Sequence, residues 1–133
     1  MISTPPSPLP PELVGLRLNR PGLQFLALHG SGARGTRNAK SDWDFAFLGS
    51  PELDLEGLRL DLGRALNSDE IDLADLSAAN GLLRYRVASE GRLLFESRAG
   101  LFDDFRVRAA TFWFDIEPVV RPAYDRLLDS LKR

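Results

Sequence analysis

The apolar positions of this chain change period several times, and each change marks an element. Gln24 to His29 is a short, nearly continuous apolar run, the pattern of a strand buried on both faces. Asp42 to Leu48 alternates strictly, with Trp43, Phe45 and Phe47 between polar or small neighbours, and predicts a second strand closed by the Gly49-Ser50-Pro51 turn. Leu55, Leu58, Leu62, Ala65 and Leu66 then recur at helical spacing, with Glu56, Arg59 and Arg64 on the wet side. Asn67-Ser68-Asp69 ends that helix, and Glu70 to Leu76 returns to alternation, placing Ile71 and Leu73 toward a core and Asp72 on the opposite face.

Weaker patterns fill the rest. Glu12 to Leu18 predicts a short helix ended by Pro21-Gly22, residues 79–89 another helix, and Arg92 to Phe95 a short strand entered by a sharp turn at Gly91. From about Arg98 the pattern is helical to the end, with Pro118 and Pro122 expected to kink or interrupt it. Residues 1–10 are rich in Ser and Pro and read as a flexible leader, leaving 11–133 as a single domain with a helical C-terminal segment. Strands alternating with helices in this order predict an α+β domain, a small mixed sheet flanked by helices.

Composition narrows the class. The chain has 133 residues, is 44% hydrophobic and 27% charged, and carries a net charge of −2, ordinary values for a globular domain large enough to bury a core. That charge argues against a large basic surface for duplex nucleic acid, so no direct nucleic-acid binding is expected. With no cysteine, a disulfide framework and thiolate metal sites are excluded. No stretch reaches membrane-spanning length and the N-terminus lacks a signal-peptide pattern, so a cytoplasmic location is expected.

The chemistry concentrates between residues 28 and 48. Asp42 and Asp44 are two apart on a predicted strand, so both carboxylates project from one face while Trp43, Phe45 and Phe47 take the other. Paired carboxylates suit Mg²⁺, which prefers oxygen ligands and is held by one or two carboxylates together with substrate phosphates. Upstream, Gly30 and Ser31 form a turn that permits close backbone approach, and residues 31–37 read as a loop and short helix start attractive to phosphate. Arg34 and Arg37 add planar, permanently charged forks suited to a triphosphate. A Gly-Ser turn or an Asp-x-Asp alone would be unremarkable, and their combination between two strand-like runs is the informative feature. Asp72 is the candidate third carboxylate, able to complete a metal site and to polarise an incoming hydroxyl. Asp75 falls on the other face by parity and reads as a strand-end or cap residue, while His29, the only histidine, reads as a hydrogen-bonded structural residue, since Mg²⁺ prefers oxygen.

The run Leu28-His29-Gly30-Ser31-Gly32-Ala33-Arg34-Gly35, followed by Ser41-Asp42-Trp43-Asp44-Phe45, resembles the signature of the polymerase-β-like nucleotidyltransferases, and more narrowly of the minimal nucleotidyltransferase (MNT) antitoxins. The resemblance covers roughly residues 12–130 and is strongest at 28–48 and 70–76. It implies the polymerase-β-like fold, triphosphate binding at Gly30 and Ser31, and two Mg²⁺ ions on Asp42, Asp44 and Asp72. It further implies transfer of AMP from ATP to a tyrosine of a cognate HEPN toxin, an RNase neutralised in a hetero-oligomer with this chain. Trp43 replaces the usual aliphatic residue between the two aspartates, and Gly32 and Asn38 stand where many relatives are basic, with Arg37 as the possible substitute. Two other functions stay open at this level, a binding-only antitoxin and a small-molecule nucleotidyltransferase. The aromatic run Phe112-Trp113-Phe114 spans too many helix faces for a small domain to bury and points to a partner interface.

Overall fold

The computed structural model describes residues 9–30 and 42–131. Four strands form one mixed sheet in the order β3-β2-β1-β4, where β1 is Leu23–His29, β2 Trp43–Gly49, β3 Ile71–Asp75 and β4 Arg92–Glu96. Strand β1 runs antiparallel to both β2 and β4, and β2 runs parallel to β3. Among the described residues three α-helices alternate with the later strands: α1 (Leu55–Leu66), α2 (Gly81–Glu90) and α3 (Leu101–Leu131). The expected α+β architecture with a small mixed sheet is what the chain adopts.

Both faces of the sheet are covered, which explains why β1 lacks alternation. On one face Leu26, Leu28, Trp43, Phe45, Phe47, Ile71 and Leu73 pack with Leu58 and Leu62 of α1 and with Leu13 and Leu18 of the N-terminal segment. On the other, Phe25, Ala27 and Ala46 pack with Val87 and Ala88 of α2 and Phe102, Phe105 and Ala109 of α3. The ring of Phe25 lies 5.2 Å from that of Phe102, edge-on, and 5.3 Å from that of Phe105. The alanines of this second face let the two helices lie close against the strands. No helix among the described residues is long and apolar enough to cross a membrane.

Local signals set the element ends. The Asp54 side chain accepts from the Gly57 amide at 3.0 Å and starts α1, and Asn67 ends it in the left-handed conformation at φ 49°. Asn80 caps α2 by accepting from the Leu83 amide at 2.9 Å. Both carboxylate oxygens of Glu96 take amide donors at the start of α3, from Gly100 at 3.1 Å and Phe102 at 3.0 Å. At the end of β3, Asp75 accepts from the amide and hydroxyl of Ser77, the strand-end role expected of it.

Three expectations need correction, and the turn at Gly91 is borne out. The helix expected over Glu12–Leu18 is a single 3₁₀ turn, Pro11–Leu13, because Val14 is already extended and Gly15 turns the chain at φ 82°. Asp42 lies one residue before β2, whose ladder begins where the Trp43 amide donates to the Glu70 carbonyl at 2.9 Å. Gly91 joins the end of α2 to β4 at an ordinary φ of −66°, and what it supplies is the missing Cβ, which would lie 2.4 Å from the Val87 carbonyl oxygen. Pro118 and Pro122 do not interrupt α3, which is assigned as one helix through both positions. Each removes one hydrogen-bond donor but holds a helical φ, and the Glu117–Arg121 ion pair spans the turn between them.

Leu58 and Leu62 are fully buried against the sheet. Leu62→Ala should therefore cost about 3 kcal/mol in a urea-unfolding experiment, whereas the same change at the exposed Leu60 should cost under about 1 kcal/mol.

Candidate active site

Register builds the site. Asp44 on β2 pairs with Asp72 on β3, and on its other side with His29 on β1, so three titratable side chains form one row across three adjacent strands. Parity puts that row on the α2/α3 face of the sheet, beyond the last apolar residues that the helices cover. Asp72 is exposed and Asp44 half-buried, while Trp43, Ile71 and Leu73 on the opposite face are buried, as the alternation predicted.

Gly30 closes the row. It has φ 68°, and a Cβ built on it would lie 2.6 Å from Asp44 Oδ2. Any side chain at this position would push on the carboxylate, so glycine supplies both the left-handed turn and the space that Asp44 occupies. Ser31, Arg34 and Arg37, together with the loop and short helix expected over 31–37, lie outside the described residues.

His29 is half-buried and its Nε2 has no hydrogen-bond partner among the described residues. Burial holds its imidazole below the usual value, outweighing the opposing pull of Asp44, Asp72, the Phe45 backbone and Glu90 at the end of α2. A neutral ring next to two carboxylates fits a packing and spacing residue better than a cation. Sequence reasoning placed His29 beside the motif but not within the carboxylate row, because that position follows only from β1–β2 register. Glu90 carried no local signal at all.

Asp44 and Asp72 are brought together, and Asp42 stands at the mouth of β2, exposed. Among the described residues no three His, Cys, Asp or Glu side chains converge into a metal cage. The donor set nonetheless suits a hard divalent ion, since adjacent carboxylates on one sheet face present only oxygen and Mg²⁺ draws its remaining ligands from water and substrate phosphates.

This geometry has counterparts. The family model for polymerase beta nucleotidyltransferases matches residues 16–99, which contain Gly30 and all three aspartates. A protein adenylyltransferase MntA of Aphanizomenon flos-aquae is 30% identical over 126 residues, covering 85% of this chain and 83% of that protein. The chain belongs to the polymerase-β nucleotidyltransferase family, with the MntA protein adenylyltransferases. Within that family, MntA of Shewanella oneidensis is 40% identical over 83 residues, 60% of this chain and 59% of that one. A crystal structure of a toxin–antitoxin complex with AMP-PNP contains a chain that superposes at a TM-score of 0.69 with 29% identity, over 83% of this chain and 90% of its own length. The MNT–HEPN complex of Shewanella oneidensis with a tri-AMPylated toxin includes a match at a TM-score of 0.63 and 28% identity, over 85% and 89% of the two chains. The family resemblance read from the Gly-Ser and Asp-x-Asp motifs is thereby confirmed.

Because a Cβ at Gly30 would meet the Asp44 carboxylate, Gly30→Ala should lower nucleotidyl transfer by about 100-fold. The left-handed backbone adds about 1 kcal/mol of strain, so the melting midpoint should fall by only about 3–5 °C. Transfer from radiolabelled ATP measured beside calorimetry separates the two effects. Unchanged transfer would show that Asp44 need not hold this position.

Proposed function

We infer that this chain is an antitoxin that transfers AMP from ATP to a tyrosine of its HEPN toxin. The observation that carries the reading is the register pairing of Asp44 with Asp72 beside a glycine that admits the Asp44 carboxylate. Support comes from relatives that are protein adenylyltransferases, from a related complex with AMP-PNP, and from a related complex whose toxin carries AMP groups.

The chemistry assigns a role to each residue. Gly30 and Ser31 approach the triphosphate through the backbone, and Arg34 and Arg37 offer charge to its β- and γ-phosphates. Asp42, Asp44 and Asp72 would hold divalent cations, two Mg²⁺ by the chemistry of the family, which neutralise the phosphates and the departing pyrophosphate. A tyrosine hydroxyl has a pKa near 10 and is a weak nucleophile. Asp72, exposed at the end of the row, accepts its proton as the phenolic oxygen attacks the α-phosphorus. The new bond joins that oxygen to phosphorus, and the bond from phosphorus to the bridging oxygen of pyrophosphate breaks.

The test is intact mass of the toxin after incubation with this chain, ATP and Mg²⁺. Wild type should add one or more AMP units, and Asp42→Asn or Asp44→Asn should slow the addition by about 100-fold or more without changing the melting midpoint by more than a few degrees. EDTA should stop it altogether. Full transfer by either variant, or in the presence of EDTA, would refute the assignment.

A further inference from the structure

Helix α3 is longer than the domain that it covers. Its 31 residues span about 46 Å at 1.5 Å per residue, yet its buried positions are Phe102, Phe105 and Ala109, all in the first third. The same stripe continues in steps of three and four through Trp113, Ile116, Val120, Tyr124, Leu127 and Leu131. Helix α2 covers it only as far as its own beginning, where Gly81 permits the close approach: a Cβ there would lie 3.1 Å from Phe112 and 3.5 Å from Ile116. Beyond that point Tyr124 is 57%, Leu127 54% and Leu131 73% exposed. A groove of about 570 Å³ opens there between the start of α2 and α3, floored by Leu82, Trp113, Ile116 and Val120. An apolar stripe of this length is uncommon on a monomer surface and marks an interaction site.

We propose that the C-terminal half of α3 is a docking seam for an amphipathic helix of the toxin, which it holds both before and after AMP transfer. This rests on the toxin reading given above. Apolar residues at steps of three and four are met efficiently only by another helix, whose own stripe interlocks with them. Glu117, Arg121 and Asp125 lie along one flank, alternating in sign, and would set the direction and register of that helix. The occupant is the toxin because, in the similar Shewanella oneidensis complex, the toxin is still bound after AMPylation. A grip that outlasts modification of the acceptor cannot depend on the free tyrosine hydroxyl, so it needs a surface apart from the catalytic row. The carboxylates and the stripe are separate in just this way, one at a strand end and the other on a helix that runs past the sheet.

The seam is tested with Val120→Asp/Leu127→Asp, two exposed positions at which an added charge leaves the core untouched. Calorimetric titration against the toxin should show binding weakened by about 100-fold or more, with the melting midpoint of the free chain unchanged. Steady-state transfer should show KM for the toxin raised and kcat retained. Asp44→Asn should show the converse, wild-type binding with transfer lost. Wild-type binding by the double variant would overturn the seam. So would a dimer of the free wild-type chain that the double variant dissolves, because the occupant would then be a second copy. If the wild type transfers no AMP while its binding still depends on Val120 and Leu127, the transferase reading falls and the seam stands.

Discussion

Strand β2 is hydrogen-bonded on both sides, antiparallel to β1 and parallel to β3, and the rest of the molecule depends on that double pairing. A one-residue slip in either ladder would carry Asp44 to the face occupied by Trp43, Phe45 and Phe47 and bury a carboxylate among leucines. The apolar side chains of β2 therefore guard the register of the carboxylate row as well as supply the core. Helix α1 enforces the parallel half of the arrangement, since it links β2 to β3 and clamps Leu58 and Leu62 onto the face that must stay dry.

The two faces of the sheet perform different tasks. The α1 face is apolar along its length, and Trp43, Phe45, Ile71 and Leu73 hold the strand ends that carry the aspartates. The other face is shared, apolar where α2 and α3 cross it and polar at the end where His29, Asp44 and Asp72 emerge. Burial lowers the His29 pKa there, against the opposing pull of Asp44 and Asp72. Alanine at positions 27, 46 and 88 is what lets the helices lie low enough to shape this border.

Much of this was legible in the residues because it rests on local periodicity. The alternation around Asp44 and Asp72 announced which side chains share a face, and Asn67 and Asp75 read correctly as end signals. What escaped depended on neighbours distant in sequence. Nothing near Glu90 indicates that its charge reaches His29, and only the β1–β2 register puts His29 in the carboxylate row. The segment from Glu12 resembled a helix because Leu13, Leu16 and Leu18 all serve the core, a task that an irregular chain performs equally well. At Gly91 the sequence showed a glycine but not which of its two properties was needed. The prolines of α3 invited a break because helix propensity is a statement about isolated chains, whereas α3 is anchored by Phe102 and Phe105 well before Pro118 is reached.

Tryptophan occurs twice in the chain, and the two rings stand in very different places. Trp43 is 5% exposed and lies stacked on Phe45 directly behind Asp42 and Asp44, whereas Trp113 stacks on Tyr85 at 5.8 Å on the helix that leaves the domain. Indole emission shifts with the surroundings of the ring, so each tryptophan senses a different part of the molecule. Trp43 reports on the strand beneath the carboxylate row, and Trp113 on the start of the exposed stripe. Chemistry and attachment in this molecule can thus be watched independently, through light that the unmodified chain already gives off.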